Sequence, residues 1–572
     1  MITLTLVIPL YRPPRTFLEA LLDSLDRQRR EDCEVILVAD GTLDEDVAWV
    51  RARTFDSWIS LIEPAPDTAN RGISATSNAG AAMARGTFVG FVDQDDVLEP
   101  GCLDAYCETI AADPRADLLY CDEQTIDVDG KVESTFRKPD WNPPRLECQN
   151  YICHLLVIRK AFFEQLGGFR TEVDFAQDWD LCLRAYEQNG RFIHIRRILY
   201  SWRTHASSTA GGIVNKSGVR DTQRRVLEEH VARSGQPGIV VDASPSDYFW
   251  ISRRSVSPVS IIIPTRASPI RTPDAVPKWF PSMAELCVQT VHQTLAGQAY
   301  EIIVVLDEDA PKHAAKRLRD LGCRIVMFRE KFNFARKCNV GAQAADHDLL
   351  VFLNDDIVCQ TPAWTAEMAA VAERRDVGAV GARLLFPSGA VQHAGHTFVG
   401  SGVTHACYGL PELTFNGRDL VDSETVGVTA ACMMTRRSAF ESVGGFSEDF
   451  PAAFNDVDLC QKLRVIGLRC ISLGRVTHLH FESQTRHPDT KPEEVRLLYA
   501  RWGSLLLDDP YRGSGDGFDF DFDRRERVPI DHAASVLAHI RSLIDAKAPE
   551  SSLRARQREN LANGAGLAPS RP

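Results

Sequence analysis

The chain has 572 residues, 44% of them hydrophobic and 25% charged, and a formal net charge of -13 at pH 7. That length exceeds one ordinary hydrophobic core and predicts two domains of roughly 200 to 250 residues plus extensions, while the composition excludes a disordered or fibrous chain. The acidic balance argues against a dedicated nucleic-acid binder, whose affinity rests on clustered Lys and Arg neutralising phosphates.

In chain order, LTLVIPLYRP reads as a strand closing on Pro9, and EVILVAD as a second strand ending at Asp40. NRGISATSNAG opens a helix that contains Asn78, and TFVGFVDQDDVL runs an apolar strand into Asp93, Asp95 and Asp96. A Gly-Gly-Phe turn, Gly167 to Phe169, precedes the acidic amphipathic helix QDWDLCLRAYE. LYSWRTHASSTA, with Arg203 and His205, closes this half on a short strand. Short β-rich runs alternating with amphipathic helices predict an α/β, Rossmann-like fold with a mostly parallel sheet covered by helices. Ligands of such sheets collect at the carboxyl ends of the strands, which is where Asp40 and the acidic clusters fall.

Residues 211–257 read as a linker, helical in GVRDTQRRVLEEHVARSG and Pro-punctuated in SPSDYFWISRRSVSP. Then the order restarts. VSIIIPTRAS carries Pro264, EIIVVLDEDA ends its strand at Asp307, FNFARKCNVGA contains Asn339, and DLLVFLNDDIV leads into Asn354, Asp355 and Asp356. Gly444 to Phe446, NDVDLCQKLRV and VTHLHFESQTR with His480 complete the series. Seven matched features in one order predict a tandem duplication, with one domain over 1–210 and a second over 258–507. In this pairing Leu353 stands where the first copy has Asp93. From 508 to 572 the chain is polar and Gly-rich with one helical stretch, and is expected to be partly disordered.

The 15 cysteines are scattered without a CxxC pair, which predicts free buried thiols rather than disulfides or a zinc site. No apolar run reaches the roughly 18 residues needed to span a bilayer, and MITLTLVIPLY lacks a charged leader and cleavage site. A cytoplasmic location is the expectation.

Carboxylates ending a buried strand are costly unless they hold a cation, and hard oxygen donors suit Mg²⁺ or Mn²⁺ bridging a diphosphate. Asp95, Asp96, Asp355 and Asp356 are therefore candidate metal ligands, with an acidic turn as the alternative. Val97 and Glu99 break the ligand pattern of a calcium loop. Asp178 and Asp180, like Asp456 and Asp458, open helices whose dipole favours a carboxylate. An ionised Asp beside a sugar donor can take the proton of an acceptor hydroxyl; the alternative is a helix cap. Recurrence in both halves favours catalysis for Asp178 and Asp456. His205 and His480 are candidates for the metal shell or the diphosphate, and Arg203 for charge stabilisation, against a purely structural histidine. Asp40 and Asp307 are candidate acceptors for ribose hydroxyls or base, with Pro9 and Pro264 shaping the loop beneath, and Asn78, Asp93, Asn339 and Asn354 complete the expected nucleotide side. QHAGH, with His393 and His396, has the look of a metal pair, but no partner carboxylate is evident in the sequence, and it reads rather as an acceptor-side loop or a structural element.

Together these residues resemble glycosyltransferase family 2, of GT-A fold, over about residues 3–210 and 258–490. FRKPDWNPPRLECQNYICHL in the first half resembles the two-domain transferases of bacterial O-antigen and other cell-surface polysaccharides, as do FNFARKCNVGA, VGAVGARLLFPSGAVQHAGH and FNDVDLC followed by HFES in the second. The resemblance implies that Asp93, Asp95 and Asp96 form the DxD region and Asp355 and Asp356 its second copy. It further implies that Asp178 and Asp456 are catalytic bases and that His205 and His480 are metal-proximal. Inverting transfer from a nucleotide-diphospho-sugar, with Mg²⁺ or Mn²⁺, onto a glycan hydroxyl follows, with two active sites. A lipid-linked acceptor would place the protein at the inner face of the plasma membrane, with peripheral contact at most. Two departures bear on nucleotide preference: VADGT replaces an Asp-Asp-Gly pattern, and VLDEDA lacks Asn-Gly. A sugar-nucleotide pyrophosphorylase would need a Gly-rich basic loop that VIPLYRPPR does not supply, and a P-loop reading of GGIVNKSG fails at Asn215. A noncatalytic glycan-binding module predicts loss of the acidic and histidine positions, and both sets are present.

Overall fold

The computed structural model describes residues 2–41, 44–52, 58–63, 70–205, 218–243, 248–269, 282–399, 402–410, 418–481 and 491–512, in two compact units, Met1–Val240 and Val241–Pro572.

In the first unit the apolar runs become β1 (Leu4–Leu10), β2 (Cys33–Ala39), β3 (Ile59–Ile62), β4 (Phe88–Phe91), β5 (Val97–Leu98), β6 (Leu118–Ile126), β7 (Val132–Phe136), β8 (Leu156–Arg159) and β9 (Phe192–Arg203). They make one sheet in the order β3-β2-β1-β4-β8-β6-β9-β5, with β7 on β6. β1, β2, β3 and β4 pair in parallel, as do β6 and β9. β8 joins these blocks by running antiparallel to both β4 and β6. β2 is buried along its whole length, which is why CEVILVA is almost continuously apolar rather than alternating.

The second unit repeats the plan. Its strands are β10 (Val259–Thr265), β11 (Tyr300–Asp307), β12 (Arg324–Phe328), β13 (Leu349–Leu353), β14 (Ile357–Cys359), β15 (Val377–Leu385), β16 (Val391–His393), β17 (His396–Val399), β18 (Gly402–His405), β19 (Ser423–Thr425), β20 (Cys432–Arg436) and β21 (Arg469–His480). The main sheet runs β12-β11-β10-β13-β20-β15-β21-β14, with β16 on β15 and β19 on β21. This is the first sheet's order, element for element. β17 and β18 pair apart from it as an antiparallel ribbon.

Helix packing is duplicated too. A Cβ on Gly80 would come within 2.4 Å of Val7, and one on Gly341 within 2.3 Å of Ile262. Glycine inside a helix weakens it by about 1 kcal/mol. Here it lets the Asn-bearing helices, Ile73–Met83 and Phe334–Ala344, lie directly on β1 and β10.

Strand register fixes how the two acidic loops correspond. Pro9 pairs with Val38 and Leu4 with Phe88; Pro264 pairs with Val305 and Val259 with Leu349. Counting along β4 and β13 from these anchors, Asp93 matches Asn354, Asp95 matches Asp356, and Asp96 matches Ile357. The sequence pairing of Leu353 with Asp93 is therefore one residue out, and Leu353 matches Val92. Without the ladder, the eye aligns the two adjacent Asp-Asp pairs.

The helical part of the expected linker belongs to the first unit. Helix Val219–Ser234 docks on helix Gln177–Glu187, with His230 Nδ1 2.7 Å from Glu187 Oε1 and Arg170 Nη2 2.6 Å from Glu229 Oε2. At the other end, Asp509 accepts hydrogen bonds from Thr397 Oγ1 at 2.8 Å and Phe398 N at 3.0 Å. Residues 513–572, where disorder is expected, lie outside the described residues. All 15 cysteines are free, and all but Cys153 are buried.

Candidate active sites at the strand ends

In the first unit the chain leaves β4 and enters the loop Asp93–Asp96. Asp96 is fully buried, and its carboxylate accepts from Tyr200 OH at 2.6 Å and Arg203 N at 2.8 Å. Burial and the neighbouring Asp93 push the Asp96 carboxyl well above its ordinary range. Asp96 thus anchors the loop to β9. Asp95 points the other way and meets the last strand's histidine, with Oδ2 2.6 Å from His205 Nε2. The Asp93 side chain is 41% exposed and lies 3.5 Å from His154 Nε2.

His154 is the functional candidate that sequence reasoning missed. It stacks on Tyr200 with ring centroids 5.0 Å apart, and its Nδ1 lies 3.5 Å from Glu123. Glu123 is in turn paired with the fully buried Lys138 Nζ at 3.0 Å. Burial works against a charged imidazole, but the contacts with Asp93 and Glu123 overcome it and raise His154 well above its ordinary value. Asp93, Asp96 and His154 each offer one ligand atom, all within 4.8 Å of one another. A signal for the network exists in FRKPDWNPPRLECQNYICHL, a lysine and a histidine set among apolar residues.

Successive residues of a helix are turned by 100°, so Asp178 and Asp180 point to nearly opposite sides. Asp180 is fully buried and bound by Arg170 Nη2 at 2.6 Å and Arg184 Nε at 2.8 Å. Asp178 accepts from Asn150 Nδ2 and from Trp179 N, both at 2.8 Å. Burial raises the Asp178 carboxyl, His154 pulls it down, and Asp93 also acts on it. Asp178 therefore belongs electrostatically to the Asp93–His154 cluster, whereas Asp180 is a structural ion pair.

Other expected positions take different work. Asp40, at the end of β2, accepts from the backbone N–H of Arg71 at 2.9 Å and of Gly72 at 3.1 Å, so it orders the turn into helix Ile73–Met83. Asn78 uses both ends of its amide on Phe169, donating to its O at 2.8 Å and accepting from its N at 2.9 Å. Asn339 does the same to Phe446, at 2.9 and 3.1 Å. Each asparagine pins its Gly-Gly-Phe turn. Arg203 is buried and donates to the carbonyls of Asp95 at 2.9 Å and Asp127 at 3.0 Å. It braces the acidic loop from behind.

In the second unit His480 Nε2 lies 3.1 Å from Asp356 Oδ1 and 3.4 Å from Asn354 Nδ2, while its Nδ1 meets Gln392 at 2.7 Å. Asp355 accepts from Thr265 Oγ1; burial and Asp356 push its carboxyl up to about 7. Asp307 pairs with the buried Lys337 Nζ at 2.9 Å, a cation the sequence reading did not assign. Asp456 accepts from Val457 N at 2.9 Å and Ala430 N at 3.1 Å. Asp458, fully buried, is held by Arg501, Trp502 and Lys462. By register, Ala431 replaces His154 and Ile357 replaces Asp96, so the second centre has fewer charged groups.

Two copies of one α/β sheet thus each gather carboxylates, a histidine and a helix-opening aspartate beyond their strand ends, where ligands of such sheets bind. The model of "Glycosyl transferase family 2" matches residues 5–167 and 260–444. The chain belongs to that family. It is 33% identical over 526 residues to the O-antigen biosynthesis protein RfbC of Myxococcus xanthus, covering 89% of this chain and 40% of that protein. It is 31% identical over 532 residues to protein y4gI of Sinorhizobium fredii, covering 89% of this chain and 57% of that one. The chain therefore spans about half the length of these relatives. Among solved structures, Staphylococcus aureus TarS 1-349 in complex with UDP-GlcNAc aligns at 18% identity and TM-score 0.34, covering 41% of this chain and 70% of that one.

Proposed function

We propose that the chain transfers sugars from nucleotide-diphospho-sugars to hydroxyls of a growing cell-surface glycan, with inversion at the anomeric carbon. The observation that carries this reading is the pairing of Asp95 with His205 beside the Asp93–His154–Asp178 cluster at the end of β4. Its oxygen donors fit a hard divalent cation. Asp93, Asp95 and His205 would hold Mg²⁺ or Mn²⁺ in the first unit, and Asp355, Asp356 and His480 in the second; the ion supplies charge stabilisation for the leaving diphosphate.

The remaining roles fall to the chain. Asp178 accepts the proton of the incoming hydroxyl as the new C–O bond forms and the bond to the diphosphate breaks. Asn150 and Trp179 N–H hold that carboxylate in one orientation. Tyr200 and Arg203 keep Asp96, and with it the acidic loop, in place, so little reorganisation accompanies the reaction. Asp456 takes the same position in the second unit. We infer two transfer sites; the RfbC relative supports an O-antigen-type acceptor.

Donor binding and turnover across a panel of nucleotide-sugars, with Mn²⁺ or Mg²⁺, test this in the wild type, Asp178→Asn and Asp456→Asn. The expected result is two products, each lost in one variant, with kcat lowered about 10²- to 10⁴-fold and donor binding retained. Loss of both products in either variant would remove the two-site reading. Folded wild-type chain that turns over no donor, with and without glycan acceptors, would remove the transferase reading.

A further inference from the structure

We propose that the second unit carries an additional metal site of different chemistry, in which His393, His396 and His405 bind one imidazole-preferring divalent ion such as Zn²⁺ beside Asp456. Its three ligands are distinct from the strand-end acids, although Asp456 borders both, and it does not depend on the transferase reading.

Backbone geometry brings the three rings together. His393 ends β16 and His396 begins β17, and the reversal between them runs through Gly395 at φ +100°, where a Cβ would also meet Thr425 at 2.4 Å. Antiparallel pairing of β17 with β18 places His405 directly across from His396. The ring centroids of the three pairs are 4.8 to 5.3 Å apart, and one ligand atom from each residue lies within 4.8 Å of the others. A cavity of about 30 Å³ bordered by Ala406 and Tyr511 reaches His396.

The surroundings differ from those of the buried histidines of the first unit. In the first unit His194 contacts Asp122 and Asp140, His230 contacts Glu147 and Glu187, and His154 contacts Glu123 and Asp93. These histidines are built to be cations. The second-unit trio has one carboxylate in reach, Asp456, 4.0 Å from His396 Nε2. His393 Nδ1 lies 2.6 Å from His405 Nδ1, and His396 Nδ1 is buried without a hydrogen-bond partner. Burial and mutual repulsion hold His393 far below its ordinary value and His405 at about 3, so the rings are neutral near pH 7. Neutral imidazole is the metal-binding form.

Imidazole donors select zinc, cobalt, nickel or copper over magnesium and calcium. Three protein ligands with a fourth position open are a common zinc arrangement. Ligation through His393 Nδ1 gives up two hydrogen bonds, the one shared with His405 Nδ1 at 2.6 Å and the one that Thr429 N–H makes to His393 Nε2 at 3.2 Å. Two neutral hydrogen bonds are the smaller term beside three metal–nitrogen bonds.

The test uses untagged full-length chain, titrated with Zn²⁺ and with Co²⁺ as a spectroscopic stand-in. The expected result is one tight equivalent, visible absorption of a four- or five-coordinate Co²⁺ without a thiolate charge-transfer band, and no displacement by excess Mg²⁺. His393→Gln/His405→Asn should weaken binding at least 100-fold while Asp95→Asn leaves it intact. Absence of stoichiometric uptake by folded wild type, a thiolate band, or unchanged affinity in the double variant overturns the proposal. Should the double variant misfold, the wild-type cobalt spectrum decides alone: a weak octahedral spectrum sinks the assignment.

Discussion

Asp178 and Asp180 differ by two positions and by everything that decides their roles. Both look alike in QDWDL, and the sequence could nominate the pair but not separate its members, because the separation comes from Arg170 and Arg184 closing on one side of the helix. Removing a partner from a buried ion pair typically costs about 3 kcal/mol or more, since the opposing charge stays behind. We therefore expect Asp180→Asn to lower unfolding stability by about 3 kcal/mol in urea titrations. Asp178→Asn should leave stability within about 1 kcal/mol, because burial already raises this carboxyl and a neutral amide spares that desolvation, while turnover collapses. Equal destabilisation by the two substitutions would show that Asp178 is a structural group as well. His154 escaped the sequence reading for a related reason. A lone histidine in an apolar stretch is most often structural, and only the folded chain brings Glu123 and Asp93 to its two nitrogens.

At the scale of elements, the repeated motifs were readable but several of their purposes were not. Asn78 and Asn339 stand out as matched positions, yet the groups they hold are backbone atoms 91 and 107 residues away. No local pattern encodes that. Truncation to Ala should strand the turn's N–H and C=O at a partly buried position, costing about 1 to 3 kcal/mol, with donor affinity unchanged once the protein is folded; chemical denaturation and donor titration together check this. The helix Val219–Ser234 lies within the expected linker, and its docking rests on His230 rather than on a broad apolar stripe. Burial alone would lower the His230 pKa, but the contacts with Glu147 and Glu187 raise it. The folded state therefore binds this proton more tightly than the unfolded chain. That stabilisation is complete below the unfolded value of about 6.5 and is lost as pH climbs through the higher folded value. Accordingly, His230→Gln should cost about 1.5 to 3 kcal/mol near pH 6 and progressively less at alkaline pH, measured by denaturant titration at both values. A cost that grows with pH would mean the neutral ring is what packs there.

At the scale of the whole chain, the order of seven motifs was enough to reveal the duplication, because order survives divergence even where spacing drifts. That the second copy lacks an acid was legible, but which positions correspond was not, since that depends on a one-residue register choice. The ladder replaces Asp93, Asp96 and His154 by Asn354, Ile357 and Ala431. Both proposed ligand sets hold two carboxylates and a histidine, but in the second one of the carboxylates, Asp355, is pushed up to about 7, so a proton competes for it near neutral pH. Cation affinity at oxygen sites follows the number of charged ligands, so Mn²⁺ titration followed by electron paramagnetic resonance should resolve two classes, the first unit's tighter by about tenfold or more. Asp95→Asn should remove the tight class and Asp356→Asn the weak one. Because a proton and a cation compete for Asp355, the weak class should tighten as pH rises from about 6 to 8. Loss of the tight class on Asp356→Asn would reverse the assignment and make the second unit the better metal site despite its smaller acid set.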